Sequence, residues 1–391
     1  MSGELKVSIL VSDLSENPIV RVYPIAKVLE RKYSVEIIGP IFEERIFPAY
    51  AKEFVFKTVP GCNYPGFFRQ MLEIIRRIEG DVIYVFKPRP SSFFPGLLAS
   101  CLQGKPLVVD IDDWELAPYY EMKKSMERSV FFRRFFVRGW KAPNDYKYTV
   151  LANSLVRFAT QVIVVSDNLL KRFGGTKVCH GVDTDFFDPR LCSPKNQLRK
   201  KWQIPSRDIV ILFAGTPRLH KGLDDLLRAM ALVESENRLT LLVVGGQLNG
   251  QIPTRLFRKM RSRIREMGYL PHEVMPELLH LSDLVVLPQK KSLIAKAQVP
   301  AKVFEAMAMA KPIIATALSD LPEILEDCGI VIRPGDIEAL AQNIQNILEN
   351  PRIGSMMGAK AREKCIRLYS YEAIEKILIP VFRRFEKRLH S

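Results

Sequence analysis

The feature that most constrains the fold is a repeated alternation of short, β-rich apolar runs with helical stretches. In the N-terminal half these runs are strand-sized and end in polar residues, and they lie at positions 6–12, 34–39, 81–86, 106–111 and 161–166. Parallel strands need a crossover connection, usually a helix, so the alternation predicts a parallel sheet covered by helices. The loops after its strands are expected to meet at one edge of the sheet, where such folds bind ligands.

The alternation is interrupted once and then restarts. Residues 180–208 are polar and punctuated by prolines, without a long apolar period, which is typical of a domain boundary. A chain of 391 residues is also too long for one ordinary core. Four parts are therefore predicted: a Rossmann-like domain over 1–185, a linker over 186–207, a second Rossmann-like domain over 208–370, and a helix over 371–391 that crosses back to the first domain.

The composition limits the class of protein. The chain has 58 lysines and arginines against 43 acidic residues, a formal net charge of +15, so its surface should attract anions. Six scattered cysteines without a CxxC pair indicate reduced thiols and no zinc site. No apolar run approaches the length of a membrane-spanning helix, and the polar start lacks a signal-peptide core. A cytoplasmic location is the expectation.

One loop of the second half has the chemistry of a phosphate site. The sequence GTPRLHKG, at 215–222, follows an apolar strand and precedes an amphipathic helix. Gly215 permits a close backbone approach, and Arg218 and Lys221 can meet phosphate oxygens. The alternative is a solvated turn with two surface cations.

A second loop strengthens the phosphate interpretation. The sequence VPAKVFEAMAMAKPIIAT, at 299–316, enters a helix near Pro300 and carries one carboxylate, Glu305, before the next strand. A helix start aimed at the carboxyl edge of a parallel sheet favours an anion. Together the two loops predict a nucleotide diphosphate between two cations and a helix start, with Glu305 accepting hydrogen bonds from sugar hydroxyls.

An acidic loop follows a strand of the first half. In VVDIDDWE, at 108–115, Asp110, Asp112 and Asp113 lie just after or at the end of the strand. Three interpretations are open: a carboxylate that orients or deprotonates an acceptor hydroxyl, capping of the following helix, or a divalent-cation site. Asp112 and Asp113 cannot be separated by sequence.

Further polar residues are expected on the same edge. Lys87 and Arg89, in KPRP, could bind an anionic acceptor or form a rigid surface turn. His180, near the hinge, has a structural or a catalytic interpretation. Asn17, on the first loop, could touch phosphate or the acceptor.

Residues 122–141 interleave aromatic and basic side chains. On a helix they would form an aromatic stripe and a cationic stripe, which is the pattern of an interfacial membrane helix or of a helix packing its rings into the domain core. The residues are Phe131, Phe132, Phe135, Phe136 and Trp140, with Arg128, Arg133, Arg134, Arg138 and Lys141. A second basic stretch, at 255–266, reads as a solvated surface helix.

The order of these motifs resembles the family-four (group 1) glycosyltransferases of the GT-B fold. The resemblance rests on the 215–222 loop, MGYLPHEVMPELLHLSDLVVLP, KVFEAMAMAKPIIAT, GIVIRPGDIEALAQNI and HGVDTDFFDP, and it covers nearly the whole chain. It implies two Rossmann-like domains facing across a cleft. It also implies retaining transfer of a sugar from a nucleotide-diphosphate sugar to a lipid-linked or polysaccharide acceptor, without a metal or another cofactor.

The resemblance assigns roles residue by residue. The donor would be bound by Gly215, Thr216, Arg218, Lys221, Tyr269, Lys302, Val303 and Glu305. Within this set, Arg218 and Lys221 would hold the diphosphate, Glu305 the ribose, the backbone near Tyr269 the base, and the amides of Lys302 and Val303 the phosphates. From the residues themselves, Asp112 and Asp113 are expected to share the catalytic work with Lys221, and Asn17, Lys87, Arg89 and His180 are expected on the acceptor side.

The chain departs from the family pattern at two positions. Ala297 stands where the family has a further glutamate, eight residues before Glu305, and Thr216 stands where an arginine often follows the glycine. The alternatives are a transferase acting on a soluble small molecule and a non-catalytic nucleotide-sugar-binding protein. Nucleic acid is not expected as a partner, because no recognition motif accompanies the charge. Peripheral association with the inner face of a membrane, through 122–141, is an expectation.

Overall fold

The computed structural model describes residues 5–16, 18–47, 54–138, 140–235, 238–248, 250 and 252–389, without the side chains of 136–138 and 387–389. The chain divides into two compact units. The first consists of Met1–Gly181 and Tyr371–Ser391, and the second of Val182–Ser370.

In the first unit the described residues form a parallel sheet of seven strands, in the order β3-β2-β1-β4-β5-β6-β7. The strands are β1 (Lys6–Val11), β2 (Ser34–Ile41), β3 (Phe56–Pro60), β4 (Val82–Phe86), β5 (Leu107–Ile111), β6 (Gln161–Val164) and β7 (Thr176–Lys177). The helices are α1 (Ile19–Leu29), α2 (Phe67–Arg76), α3 (Pro90–Gln103), α4 (Ala117–Ser125), α5 (Arg128–Phe132), α6 (Tyr146–Leu155) and α7 (Asp167–Phe173). The strand order reverses between β1 and β4, which is where such sheets place their ligands.

The C-terminal helix completes the core of the first unit. The helix is Tyr371–Leu389, labelled α17 below, and it packs beside α1. Its buried residues Ile374, Leu378 and Phe382 join the apolar cluster formed by α1 and the sheet. Ion pairs and a hydrogen bond hold its exposed side, including Lys32 to Glu386 at 2.9 Å. The predicted return of this helix to the first domain is confirmed.

The second unit repeats the architecture. Its described residues form a parallel sheet of six strands, in the order β10-β9-β8-β11-β12-β13. The strands are β8 (Ile209–Ala214), β9 (Leu239–Val244), β10 (Ile264–Glu266), β11 (Leu284–Leu287), β12 (Ile313–Thr316) and β13 (Ile330–Ile332). The helices are α8 (Lys195–Lys201), α9 (Leu223–Leu232), α10 (Thr254–Met260), α11 (Met275–Leu281), α12 (Leu293–Ala297), α13 (Lys302–Ala308), α14 (Leu321–Ile324), α15 (Ile337–Glu349) and α16 (Pro351–Tyr369).

Two local predictions differ from the structure in the second unit. The segment 186–207 is not a bare linker, since it lies within the second unit and carries α8. The basic stretch 255–266 is not one helix: α10 ends at Met260, a short 3-10 turn follows, and the last residues form β10. Ile264 is buried and β10 pairs with β9, so this segment forms a strand although it is charged.

The aromatic and basic segment 122–141 is also broken. It contains the end of α4, the short helix α5 and a π-helical turn, Arg133–Arg138. Phe131 and Phe135 are buried, whereas Phe132 is 59% exposed, so the rings are divided between core and surface. Phe136 and Arg138, which were part of the predicted stripes, have side chains outside the described residues. Among the helices that the structure describes, each is too short or too polar to cross a membrane.

Candidate active site

The first unit gathers charged side chains at the carboxyl ends of β4 and β5. Lys87, the residue after β4, has a φ of 63°, in the left-handed region that few residues other than glycine adopt. Its backbone N–H donates to the Asp110 carbonyl at 2.9 Å, which joins the ends of the two strands. A strained, buried lysine at this edge is a feature that functional sites share.

A network of ion pairs surrounds Lys87. Its Nζ lies 2.6 Å from Asp113 Oδ2, 3.0 Å from Asp112 Oδ1 and 3.5 Å from Glu115 Oε1. Arg89 Nε donates to Glu115 Oε2 at 2.6 Å. Two cations thus meet three carboxylates, which leaves one negative charge in excess. The predicted binding of an anionic acceptor by Lys87 and Arg89 stays a prediction, and the carboxylates already engage both cations.

Burial, more than the excess negative charge, changes the protonation of Asp112. Burial raises the pKa of its carboxyl to about 7, while Lys87 opposes the rise and Asp113 adds to it. Although burial opposes the charged form of Lys87, Asp112 and Asp113 raise the pKa of its ammonium. Lys87 therefore stays charged, and Asp112 exchanges a proton near neutral pH, as a general base must.

Asp110 has a different environment from its two neighbours. Its carboxylate accepts from Arg21 Nε at 3.1 Å and from the Tyr84 hydroxyl at 2.5 Å, and both Arg21 and Asp110 are buried. Arg21 also donates to the carbonyls of Val178 and Cys179, at 2.9 and 2.8 Å. The buried guanidinium thereby holds the acidic loop and the segment before His180 together.

These contacts weaken two of the three interpretations of the acidic loop. A cation site at Asp110, Asp112 and Asp113 is disfavoured, because Arg21 and Lys87 already supply their counter-charges. Capping of the following helix is wrong, since the residue before α4 is Leu116, which makes no side-chain cap. The acceptor-side role of Asp112 and Asp113 stays a prediction.

Two acceptor-side predictions remain open in different ways. His180 is buried, 6% exposed, directly after the Cys179 carbonyl that Arg21 holds, which suits a structural role. Asn17 lies outside the described residues.

In the second unit the strand order reverses between β8 and β11, and the loops after β8, β9 and β10 form a closely packed backbone platform. The Gly215 N–H donates to the Val244 carbonyl, and the Gly245 N–H to the Gly268 carbonyl, both at 2.7 Å. A Cβ on Gly245, whose φ is 106°, would lie 2.9 Å from the Gly215 carbonyl carbon. Only glycine fits there. Tyr269 follows this platform and is 63% exposed, and contact of the nearby backbone with a base stays a prediction.

The loop after β8 carries the predicted phosphate ligands. Arg218 is exposed and precedes a 3-10 turn, Leu219–Lys221. Gly222 then has a φ of 71°, and a Cβ there would lie 1.8 Å from the Pro288 carbonyl oxygen, so this position requires glycine. Thr216, by contrast, is half-buried beside Gly215.

Lys221 is held by a residue that the sequence analysis did not select. Its Nζ donates to Gln298 Oε1 at 2.8 Å, across 77 positions of sequence. Gln298 follows α12, whose last residue, Ala297, is fully buried. A glutamate side chain at 297 would therefore enter the core, and the polar group beside Lys221 is supplied one position later.

We expect Gln298→Leu to lower the transfer rate by roughly tenfold, because Lys221 loses the acceptor that fixes its ammonium. Gln298→Glu should preserve most of the rate, since a carboxylate can accept the same bond. Steady-state kinetics of both variants test this, and equal losses would contradict a positioning role for the amide.

Glu305 lies in the first turn of α13 and is 7% exposed. Lys302 Nζ donates to its two carboxylate oxygens at 2.8 and 3.1 Å, and His272 Nε2 lies 4.0 Å away. The Val303 N–H donates to the Pro300 carbonyl at 3.1 Å, so that amide already has an acceptor. The prediction that backbone amides bind phosphate stays open for Lys302.

Arg362, on α16, is a second residue that sequence analysis missed. Its guanidinium donates to the carbonyls of Ala308, at the end of α13, and of Phe187, and it pairs with Asp188 at 3.1 Å. It therefore anchors the helix that carries Glu305. Nothing in the local sequence of α16 signals this role, because its partners lie far away along the chain.

The comparisons with known proteins agree with this architecture. Residues 208–350 match the family model described as Glycosyl transferases group 1. Residues 208–350 therefore carry the sequence pattern of this family. The chain is 25% identical over 203 residues to the alpha-D-kanosaminyltransferase of Streptomyces kanamyceticus, and the match covers 51% of this chain and 51% of that protein. It is also 25% identical over 315 residues to the MMP alpha-(1->4)-mannosyltransferase of Mycolicibacterium hassiacum, covering 74% of this chain and 68% of that protein.

The fold of the chain is shared with solved structures. HepE from Anabaena, solved in complex with UDP and glucose, superposes with a TM-score of 0.73 at 18% identity, over 97% of this chain and 100% of that chain. The predicted family and the GT-B fold are confirmed.

Proposed function

We propose that the protein is a retaining, metal-independent glycosyltransferase that moves a sugar from a nucleotide-diphosphate sugar to a lipid-linked or polysaccharide acceptor. The observation that carries the proposal is the pair of Lys221 and Glu305, at the carboxyl edge of the second sheet. Lys221 is pre-oriented by Gln298, and Glu305 is buried beside Lys302. The names of the curated relatives, both sugar transferases, support the same reaction class.

In the proposed reaction, the bond between the donor sugar's anomeric carbon and the diphosphate oxygen breaks, and the acceptor oxygen bonds that carbon on the same face. Lys221 stabilises the charge that develops on the departing diphosphate, so no metal is required. Asp112 takes the proton of the acceptor hydroxyl. Lys87 and Asp113 hold Asp112 in place.

A screen of nucleotide sugars by thermal shift tests the donor assignment, since a ligand that binds the native state alone raises the melting temperature. A nucleotide sugar that binds must then be converted to product. NMR should show that the product keeps the donor's anomeric configuration, as a retaining reaction requires. The rate should be the same with and without EDTA, as a metal-independent reaction requires. Binding without transfer or hydrolysis would favour the non-catalytic alternative, which Ala297 suggests.

Glu305→Ala should weaken binding of the nucleoside diphosphate by roughly tenfold to a hundredfold, because the ribose hydroxyls lose a charged acceptor. Calorimetry with the free nucleotide measures it. The control is Glu273→Ala, which removes the same charge from an exposed position of the same unit. Unchanged nucleotide affinity in Glu305→Ala would refute the ribose assignment.

A further inference from the structure

One helical layer of the first unit exposes an unusual number of large apolar side chains. The helices α2, α3 and α6 pack side by side. Gly96 of α3 lies close to Leu10, Ile83 and Val85. Successive strand residues point to opposite faces of a sheet, and the residues that alternate with these three pack against α1 and α17. The layer of α2, α3 and α6 therefore covers the face of the sheet opposite to α1 and α17. The exposed apolar residues on and around it are Phe68, Leu72, Leu102, Val130, Phe132, Trp140, Val150, Leu151 and Phe158.

A continuous chain of aromatic rings runs across one end of this layer. Tyr64 lies 5.3 Å from Phe68 and 4.8 Å from Tyr148, and Tyr148 lies 6.2 Å from Trp140, between ring centroids. The two outer rings, Phe68 and Trp140, are 56% and 54% exposed, and the tyrosines between them are half-buried. The surface therefore joins α2 to the segment before α6 and is not confined to 122–141. We call these four residues the aromatic band.

The charge around the band is strongly positive. Residues 122–158 hold nine lysines and arginines against two acidic residues, so they supply nearly half of the net charge of +15 in under a tenth of the chain. Arg128, Arg133, Arg134 and Lys141 are exposed, and Arg69 is exposed next to Phe68. Aromatic rings flanked by cations are the composition of a protein surface that binds anionic lipid headgroups.

The band lies toward the edge of the sheet that carries the acidic loop. In the chain, α2 is followed by β4 and α6 by β6. Each helix therefore ends where the next strand begins, and its first residues lie at the carboxyl ends of the parallel strands. Trp114, directly after Asp113, stacks on the partly exposed Tyr120 at 5.1 Å. A second pair of aromatic rings therefore lies directly beside the acidic loop.

We propose that the aromatic band and the surrounding cations dock the first unit on an anionic lipid bilayer, so that the acceptor is taken from the membrane. This inference rests on the proposed function for its acceptor and on the surface alone for its binding. Phosphates of a nucleic acid would also attract the cations. However, exposed aliphatic side chains such as Leu72 and Leu151 contribute to binding only when they are transferred from water into an apolar phase, which a bilayer provides.

Sedimentation of the full chain with vesicles tests the proposal. We expect binding to vesicles of equal parts phosphatidylcholine and phosphatidylglycerol, and at least tenfold weaker binding to phosphatidylcholine alone. Arg133→Glu/Arg134→Glu should weaken binding to the anionic vesicles by roughly tenfold or more. Phe68→Ser/Trp140→Ser should weaken it by at least threefold. Because Phe68 lies outside 122–141, a loss in the single variant Phe68→Ser separates the band from a segment acting alone.

The control variant is Arg255→Glu/Arg258→Glu, which reverses two exposed charges on α10 of the second unit and should leave vesicle binding unchanged. A melting temperature close to that of the wild type should show that every variant is folded. Nucleotide affinity should also be unchanged, which separates this proposal from the donor assignment. Equal binding to neutral and anionic vesicles, or a loss as large in the control, would overturn the inference. So would an absence of vesicle binding together with RNA binding that the same substitutions remove.

Discussion

Replacing Lys221 with alanine is expected to lower kcat by about 10²–10³-fold, because a pre-positioned cation is lost where the leaving diphosphate gains charge. The structure gives Lys221 its orientation through Gln298, at 2.8 Å, and through the turn that Gly222 closes. Because the interaction grows as the sugar–phosphate bond breaks, the effect should fall mainly on kcat rather than on KM. Initial rates with saturating donor measure it.

The matched control is Lys259→Ala, which removes an exposed lysine from α10 of the same unit and should leave kcat unchanged. Lys221→Arg should retain part of the rate, since it keeps the charge but not the geometry of the ammonium. If Lys221→Ala turned over at the wild-type rate, leaving-group stabilisation would have to come from elsewhere in the chain.

Replacing Asp112 with asparagine is expected to lower the transfer rate by about 10²–10⁴-fold at pH 8, because the acceptor hydroxyl loses its base. The wild-type rate should rise with pH and level off above about 7, the pKa to which burial raises the Asp112 carboxyl. Asp113→Asn removes the partner nearest Lys87 but leaves Asp112 as the base, so the rate of this variant should still rise with pH. If the rate of Asp112→Asn still rose with pH in the same range, another group would be the titrating base.

Asp112→Asn should also stabilise the protein at pH 8. The pKa of Asp112 is higher in the folded chain than in the unfolded one, so between these two values the native state binds more protons. The free energy of unfolding therefore falls as pH rises toward 7, and the ionised carboxylate is a cost above that pH. Asp112→Asn removes this cost, and its melting temperature should exceed that of the wild type at pH 8 and approach it near pH 4.

The course of the chain through both sheets could be predicted because apolar runs and helical stretches alternate so regularly. The strands β3 and β10 could not, since β3 is only half-buried and β10 follows the basic helix α10 after a single 3-10 turn. In such segments the neighbouring strand, rather than local composition, decides the conformation.

The candidate site divides in the same way. Lys221, Glu305 and Asp112 could be selected because each lies on a loop or helix start after a recognisable strand. Gln298 and Arg362 could not, since their contacts join positions far apart in sequence. The sequence also could not show that Lys87 and the acidic loop form one network, because charge alone does not reveal which groups pair.

The Arg21–Asp110 contact has a consequence for engineering acceptor preference. Because one buried arginine serves the acidic loop and the carbonyls of Val178 and Cys179, neither segment can be exchanged as an independent cassette. A chimera that imports residues 110–115 from a relative without an aspartate at 110 would leave the guanidinium buried opposite no counter-charge. Successful grafts should therefore transfer three pieces of chain together: the first helix, the acidic loop and the strand end at 178–179.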